Sequence, residues 1–262
     1  MPYAALNIPL LLPQFLMVLF RISGLALTAP LLSSPALPAR LKVAFSFTIS
    51  LMIFPIVQPR MPDSLTFDVV IVSVLGELMI GMVMGFALGL VFVGAQLVGM
   101  LIGQQAGFGL GRVINPMMEG QGTILGQMYF LVTMMIYLAI GGHRAMMAAI
   151  LDTFVTLPPG TVQFSASPMM VELVEGLLLS AYTMAIKLAG PALIALFLAS
   201  LVMGFISRTI PQINILSIGF AVRAVVALTA AGLSMSSSFD VIYEAIFESI
   251  DWVRDAFELG PV

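Results

Sequence analysis

"GELMIGMVMGFALGLVFVGAQLVGMLIGQQA" occupies residues Gly76–Ala106 and contains one charged side chain, Glu77. As a single α-helix its roughly 31 residues extend about 46 Å at 1.5 Å per residue. A hydrocarbon core of about 30 Å needs only about 20. A helix of this length must tilt strongly, bend, or leave the bilayer. The rest of the chain has the same character. Of its 262 residues 60% are hydrophobic and 9% charged, and the mean hydropathy is +1.12. Ordinary soluble domains carry roughly 25% charged residues, so so few charges cannot cover a water-facing surface. The expected fold class is an all-α integral membrane protein with long, kinked helices.

Glycines punctuate the same stretch. At about 100° per residue, Gly81, Gly85 and Gly89 lie within about 80° of one another. Gly99, Gly103 and Gly107 repeat those positions, because about eighteen residues make five whole turns. A stripe without side chains lets another helix approach closely. The spacing predicts close approach and leaves open whether the neighbour is this chain or another subunit.

Outward from this segment, apolar runs cover about 10–32, 41–57, 124–140, 173–206 and 213–235. Pro191 inside the 173–206 run removes a backbone donor and predicts a kink. Residues 207–214, "SRTIPQIN", read as the break of a tight helical hairpin. "TLPPGTVQFSASP" (156–168) is the best domain boundary, dividing 1–165 from 166–262. The N-terminal run reads as a retained helix rather than a cleaved signal. At the other end, Phe239, Ile242, Ile246, Ile250, Val253 and Phe257 follow three- and four-residue steps. Asp240, Glu244, Glu248, Asp251 and Asp255 lie mostly opposite, giving an acidic amphipathic helix. It packs either on its own protein or on a partner; anionic membrane attachment has the wrong sign of charge.

Net charge is −3 and there are no cysteines. Nucleic-acid binding, thiol catalysis and cysteine metal sites are therefore not indicated, and no cofactor is expected. Glu77, Lys187, Arg208, Arg223 and Arg21 lie in or beside apolar runs. Such charges face protein or water; ion pairing and helix-end snorkelling suit them better than a proton path. His143, the only histidine, stands in "GGHR" outside any hydrolase signature. The 20 methionines suit ordinary helix packing.

The stretch "GQQAGFGLGRVINPMMEGQGTILGQ" (103–127) breaks the pattern. Gly107, Gly109 and Gly111 make a helix hard to sustain, and Pro116 disfavours helix at Asn115. Irregular backbone at membrane depth is tolerated only inside protein or along a watery cavity. Gln104, Gln105, Gln121 and Gln127 suit a wet, uncharged lining, while Phe108, Leu110, Val113 and Ile114 could fill a hole. The residues read either as a gate loop or as a surface loop between two spans.

"RISGLALTAPLLSSPALPARLKVAF", the glycine-rich helix, "INPMMEGQGTILGQ" and "GFISRTIPQINILSIGFAVR" together resemble the FliR family of flagellar biosynthesis proteins, in the family's order and over nearly the whole chain. The resemblance implies an inner-membrane, non-enzymatic subunit of a type III export gate at the flagellar basal body. It implies a FliP-like part (1–165) followed by a FliQ-like hairpin and C-terminal helix (166–262). Implied partners are FliP and FliQ in a ring that protrudes toward the periplasm, FlhB near its entrance, membrane lipids, and unfolded flagellar proteins in transit. The family's pore plug falls on Gly107, Phe108, Gly109, Leu110, Gly111 and Arg112, followed by Asn115, Pro116, Met117 and Met118, within about 104–122. An injectisome subunit is the nearest alternative. A small-solute secondary transporter using Glu77 and an intramembrane hydrolase using His143 are alternatives of other classes.

Overall fold

A computed structural model of the chain describes residues 8–34, 37–61, 67–109, 123–160, 168–210 and 215–257. All regular structure among them is helical: α1 Ile8–Thr28, α2 Ala39–Val57 with a 3-10 turn Gln58–Arg60 after it, α3 Phe67–Ala106, α4 Ile124–Ala139, α5 Gly142–Thr156, α6 Pro168–Thr209, α7 Ile215–Ser236 and α8 Ser238–Ala256. By length and composition five of these can cross a membrane: α1, α2, α3, α6 and α7. The pair α4 and α5, broken at Ile140–Gly141, would add a sixth. The expected class, an all-α membrane protein, is what the structure shows.

The chain forms two compact units, one of residues 1–90, 141–177 and 248–262, the other of 91–140 and 178–247. In the first, α1 and α2 form a hairpin. α1 turns Met17, Val18, Arg21, Ile22 and Leu25 inward, the three- and four-residue spacing of one helical face. Phe15 stands edge-on to Phe47 and Phe54 of α2, each pair of ring centroids 5.6 Å apart. Ser46 and Ser50 are buried on α2 and satisfy their hydroxyls on carbonyls one turn back, at 3.0 and 2.7 Å. On α6, Gly176 leaves the space that the Trp252 indole of α8 fills.

In the second unit α6 and α7 form a hairpin, tied where Ser234 Oγ donates to the Leu188 carbonyl at 2.7 Å. Tyr129 on α4 donates to the Ala231 carbonyl of α7 at 3.4 Å. Phe92 of α3 meets Phe130 and Tyr137 of α4 edge-on.

Three features extend the sequence reading. α3 contains 40 residues and so runs about 60 Å, longer than its apolar centre alone required. α6 contains 42 residues with Pro191 inside; the helix is continuous through the proline. α5 is a helix that no apolar run announced. Met146, Ala149, Ile150, Thr153 and Phe154 are its buried face, helical in spacing but too short to register as a span.

Candidate functional site

The first buried polar centre lies among α1, α3 and α5. Arg21 and Glu77 are 0% and 1% exposed, with Arg21 Nε 2.5 Å from Glu77 Oε2. The other guanidinium nitrogens donate to Thr153 Oγ1 at 3.1 Å and to the Leu157 carbonyl at 3.0 Å. The Gly160 N–H donates to Glu77 Oε1 at 3.2 Å, and the guanidinium carbon lies 4.4 Å from the Phe154 ring centroid. A buried charge is tolerable only when paired and hydrogen-bonded. Here both carboxylate oxygens and all three guanidinium nitrogens have partners. The site therefore fastens α1, α3 and the turn after α5 together.

The glycine stripe serves the same junction. A Cβ on Gly81 would overlap the Arg21 carbonyl, and one on Gly24 would overlap that of Leu78. A Cβ on Gly85 would lie 2.7 Å from the Ala29 nitrogen and overlap Thr28 Oγ1. In place of those side chains Thr28 Oγ1 donates across to the Met82 carbonyl at 3.0 Å. Gly89 differs, since its nearest neighbour would stand 3.7 Å away. Further along, Gly99 abuts the backbone of Leu125 and Gly126 in α4. Gly81, Gly85 and Gly99 thus have neighbours within this chain. Gly24, isolated in the sequence, and Gly126 complete these crossings and were not among the expected residues.

The candidate gate begins where α3 ends. Gly107 adopts φ +89°, a left-handed conformation that glycine takes without steric cost. The Phe108 N–H bonds the Gly103 carbonyl at 2.9 Å, and the Gly107 N–H bonds that of Gln104 at 3.0 Å. This paired termination satisfies carbonyls that the last turn would otherwise orphan. A Cβ on Gly103 would lie 3.8 Å from the Phe108 ring and 3.3 Å from Thr123 Cγ2. Thr123 restarts the chain, its Oγ1 accepting from the Gly126 N–H at 3.0 Å to cap α4. Residues 108 and 123 thus flank one glycine, and the intervening chain leaves and returns at the same place. Phe108 also meets Phe220 of α7 edge-on at 6.2 Å. Gln104, Gln105 and Gln127 are exposed here. Leu110, Gly111, Arg112, Asn115, Pro116, Met117 and Met118 lie outside the described residues.

The remaining candidate charges belong to the second unit. Lys187 pairs with Glu244 at 3.5 Å, 52% and 68% exposed, a geometry that contributes little stability. Arg208 is exposed in the last turn of α6, where a cation complements the helix dipole. Arg223 is half-buried, and its Nε has no partner among the described residues. His143 stands half-buried in the first turn of α5. Ile242, Ile246, Ile250 and Val253 on α8 and Phe257 directly after it are buried as expected from their spacing. Phe239 is exposed instead, stacked on Tyr243. The sequence reading missed the pair Arg254–Asp152, 3.2 Å; its only signal was one arginine among the acids of α8.

These features define a class: a polytopic α-helical membrane protein with a glycine-mediated helix junction and a loop anchored at its base. The chain belongs to the bacterial export proteins, family 1, whose family model matches residues 12–249. It is similar to the flagellar biosynthetic protein FliR of Bacillus subtilis (strain 168), 24% identical over 255 residues, covering 96% of this chain and 97% of that protein. It is similar also to FliR of Escherichia coli (strain K12), 26% identical over 211 residues and 80% of each chain. FliR of Pectobacterium carotovorum subsp. carotovorum is 27% identical over 226 residues, covering 84% of this chain and 83% of its own. The resemblance to the FliR family read from the sequence is therefore shown.

Proposed function

We propose that the chain is a subunit of the flagellar protein export gate in the bacterial inner membrane. It forms part of the wall of a protein-conducting channel, and the loop from Gly107 to about residue 122 is the plug. The observation that carries this reading is the length of exposed apolar surface on α6. Large apolar side chains are exposed on it from Val171 and Val174 to Val202 and Phe205, about 51 Å of axis. To fit that surface within about 30 Å of hydrocarbon, the helix would tilt by more than 50°, beyond the usual range of about 0–40°. Lipid alone does not cover it, so other protein chains do. By the family resemblance these are FliP and FliQ, with FlhB near the entrance and unfolded flagellar proteins as cargo. On the same resemblance, residues 1–165 are the FliP-like part and 166–262 the FliQ-like part.

The mechanism is passive. A loop held at Gly103, with Arg112 and Glu119 its two opposite charges, occupies the conduit and moves aside for a chain in transit, with energy supplied by other components. The secondary-transporter reading needs a carboxylate free to load and unload. Glu77 does not suit it, because Arg21 and the Gly160 N–H hold both oxygens. The test is deletion of Gly107–Gly111 in the assembled complex, followed by planar-bilayer conductance. The expected result is a raised ion leak; unchanged conductance rejects the plug, and failure to co-purify any other subunit with the intact chain rejects the wall.

A further inference from the structure

At the turn between α1 and α2 the surface opens into a crevice of about 440 Å³, lined by Leu32, Leu37, Leu41, Lys42, Phe45 and Thr48 among others. That volume lies within the roughly 300–1,000 Å³ typical of small-molecule sites. Its walls are almost wholly apolar, with one cation at the rim. Lys42 Nζ donates to the Ser33 carbonyl at 3.0 Å, which fixes the ammonium over the turn. An ammonium has three donors, and the other two have no partner among the described residues. Arg40, exposed two positions earlier, adds a second cation. α2 starts there after Pro38 without a side-chain cap, so the positive end of its dipole lies at the same level. Residues 1–62 contain no aspartate or glutamate, and the nearest other arginine on α1, Arg21, is committed to Glu77. Among the described residues neither Lys42 nor Arg40 has an ion-pair partner, so the turn sets positive charge above an apolar hole. Beside the hole, Val43, Phe47 and Leu51 continue the apolar surface of α2 outward.

We infer that this crevice binds an anionic membrane lipid, the headgroup phosphate on Lys42 and Arg40 and an acyl chain between Leu37, Leu41 and Phe45. The chemistry fits an amphiphile at both ends. A zwitterionic headgroup would bring a third cation to a site that already has two, and a free phosphate would leave the apolar walls unused. Bound there, the lipid fills a gap in the α1–α2 hairpin and fixes that turn at the membrane surface. The inference rests on α1 and α2 crossing a membrane and not on the export role, so each can fail without the other.

The absence of cysteine makes the test direct. Thr48→Cys in the full chain takes a single environment-sensitive fluorophore at the mouth of the crevice. The labelled protein is reconstituted in phosphatidylcholine vesicles containing a minor share of brominated phosphatidylglycerol, or of brominated phosphatidylcholine. The expected result is a preference of about fivefold or more for quenching by the anionic lipid, with about fivefold lost per removed cation in Lys42→Gln and Arg40→Gln. Lys42→Arg keeps the preference and shows that a loss is not a folding defect, and Arg60→Gln, in the turn that follows α2, keeps it too. Equal quenching by both lipids would mean only bulk lipid touches α2 and overturns the inference. A response to added inorganic phosphate without quenching identifies a free anion instead, and no response to any probe means protein covers the crevice; either result overturns it.

Discussion

Arg21 and Glu77, on different helices and separated by 56 positions in the sequence, form an ion pair from which water is excluded. Such a pair adds little beyond what well-packed apolar residues would contribute, but removing one member strands a charge at a cost of about 3–5 kcal/mol. Glu77→Leu and Arg21→Met should each cut the folded yield in detergent and lower the thermal midpoint steeply. The double variant should recover a large part of that loss. A midpoint for Glu77→Leu within error of the parent would show that the pair does not fasten the helices.

The glycine stripe predicts a contrast on a single helix. Gly81→Ala puts a methyl into the Arg21 carbonyl and Gly85→Ala puts one against the Ala29 nitrogen. Both should destabilise by about 1–3 kcal/mol, the usual cost of overpacking. Gly89→Ala meets nothing closer than 3.7 Å and should be neutral or stabilising by up to about 1 kcal/mol, the helix preference for alanine. Denaturant or thermal unfolding of the three purified variants measures the order, and equal effects at all three positions would refute the crossing geometry.

These contrasts show what the sequence could reveal. The length of α3, the stop at Gly107 and the apolar face of α8 all follow from local rules of hydropathy, glycine conformation and helical period. They were legible because each is decided within one element. Gly24 was not, because one glycine has no period, and neither was Gly126, because the meaning of each lies in the backbone opposite. The partner of Glu77 was equally hidden: Arg21 was visible as a charge in an apolar run, but nothing local distinguishes it from Lys187 or Arg223. Thr153 and the Leu157 carbonyl belong to the same cluster and have no charge signal at all. α5 escaped because its buried face is short and partly polar.

Phe108 and Phe220 join the base of the loop to α7, and an edge-on pair of this kind is worth about 0.5–1.5 kcal/mol beyond its buried area. If that contact holds the loop in place, Phe108→Ala and Phe220→Ala should each raise ion leakage through the assembled complex, and the double variant should leak no more than the worse single. Additive leakage would mean that the two rings act separately. Thr123→Ala, which removes the α4 cap at the other end of the loop, should cost about 1 kcal/mol of stability.

The exposed stripe Ile194, Phe197, Leu198, Leu201, Val202 and Phe205 on α6 separates lipid contact from subunit contact. Its three- and four-residue steps place all six on one face. Against lipid tails, replacing phenylalanine by alanine changes little, because acyl chains refill the space and the helix stays apolar enough to insert. Against a packed helix the same change leaves a hole, since packing rather than hydrophobicity drives association within the bilayer. Phe197→Ala combined with Phe205→Ala should therefore leave the isolated chain's insertion and thermal midpoint nearly unchanged. Recovery of the other subunits on affinity purification should fall about tenfold or more, the effect expected when two anchoring side chains leave an interface. Undiminished recovery would assign this face to lipid and move the subunit contact elsewhere on α6.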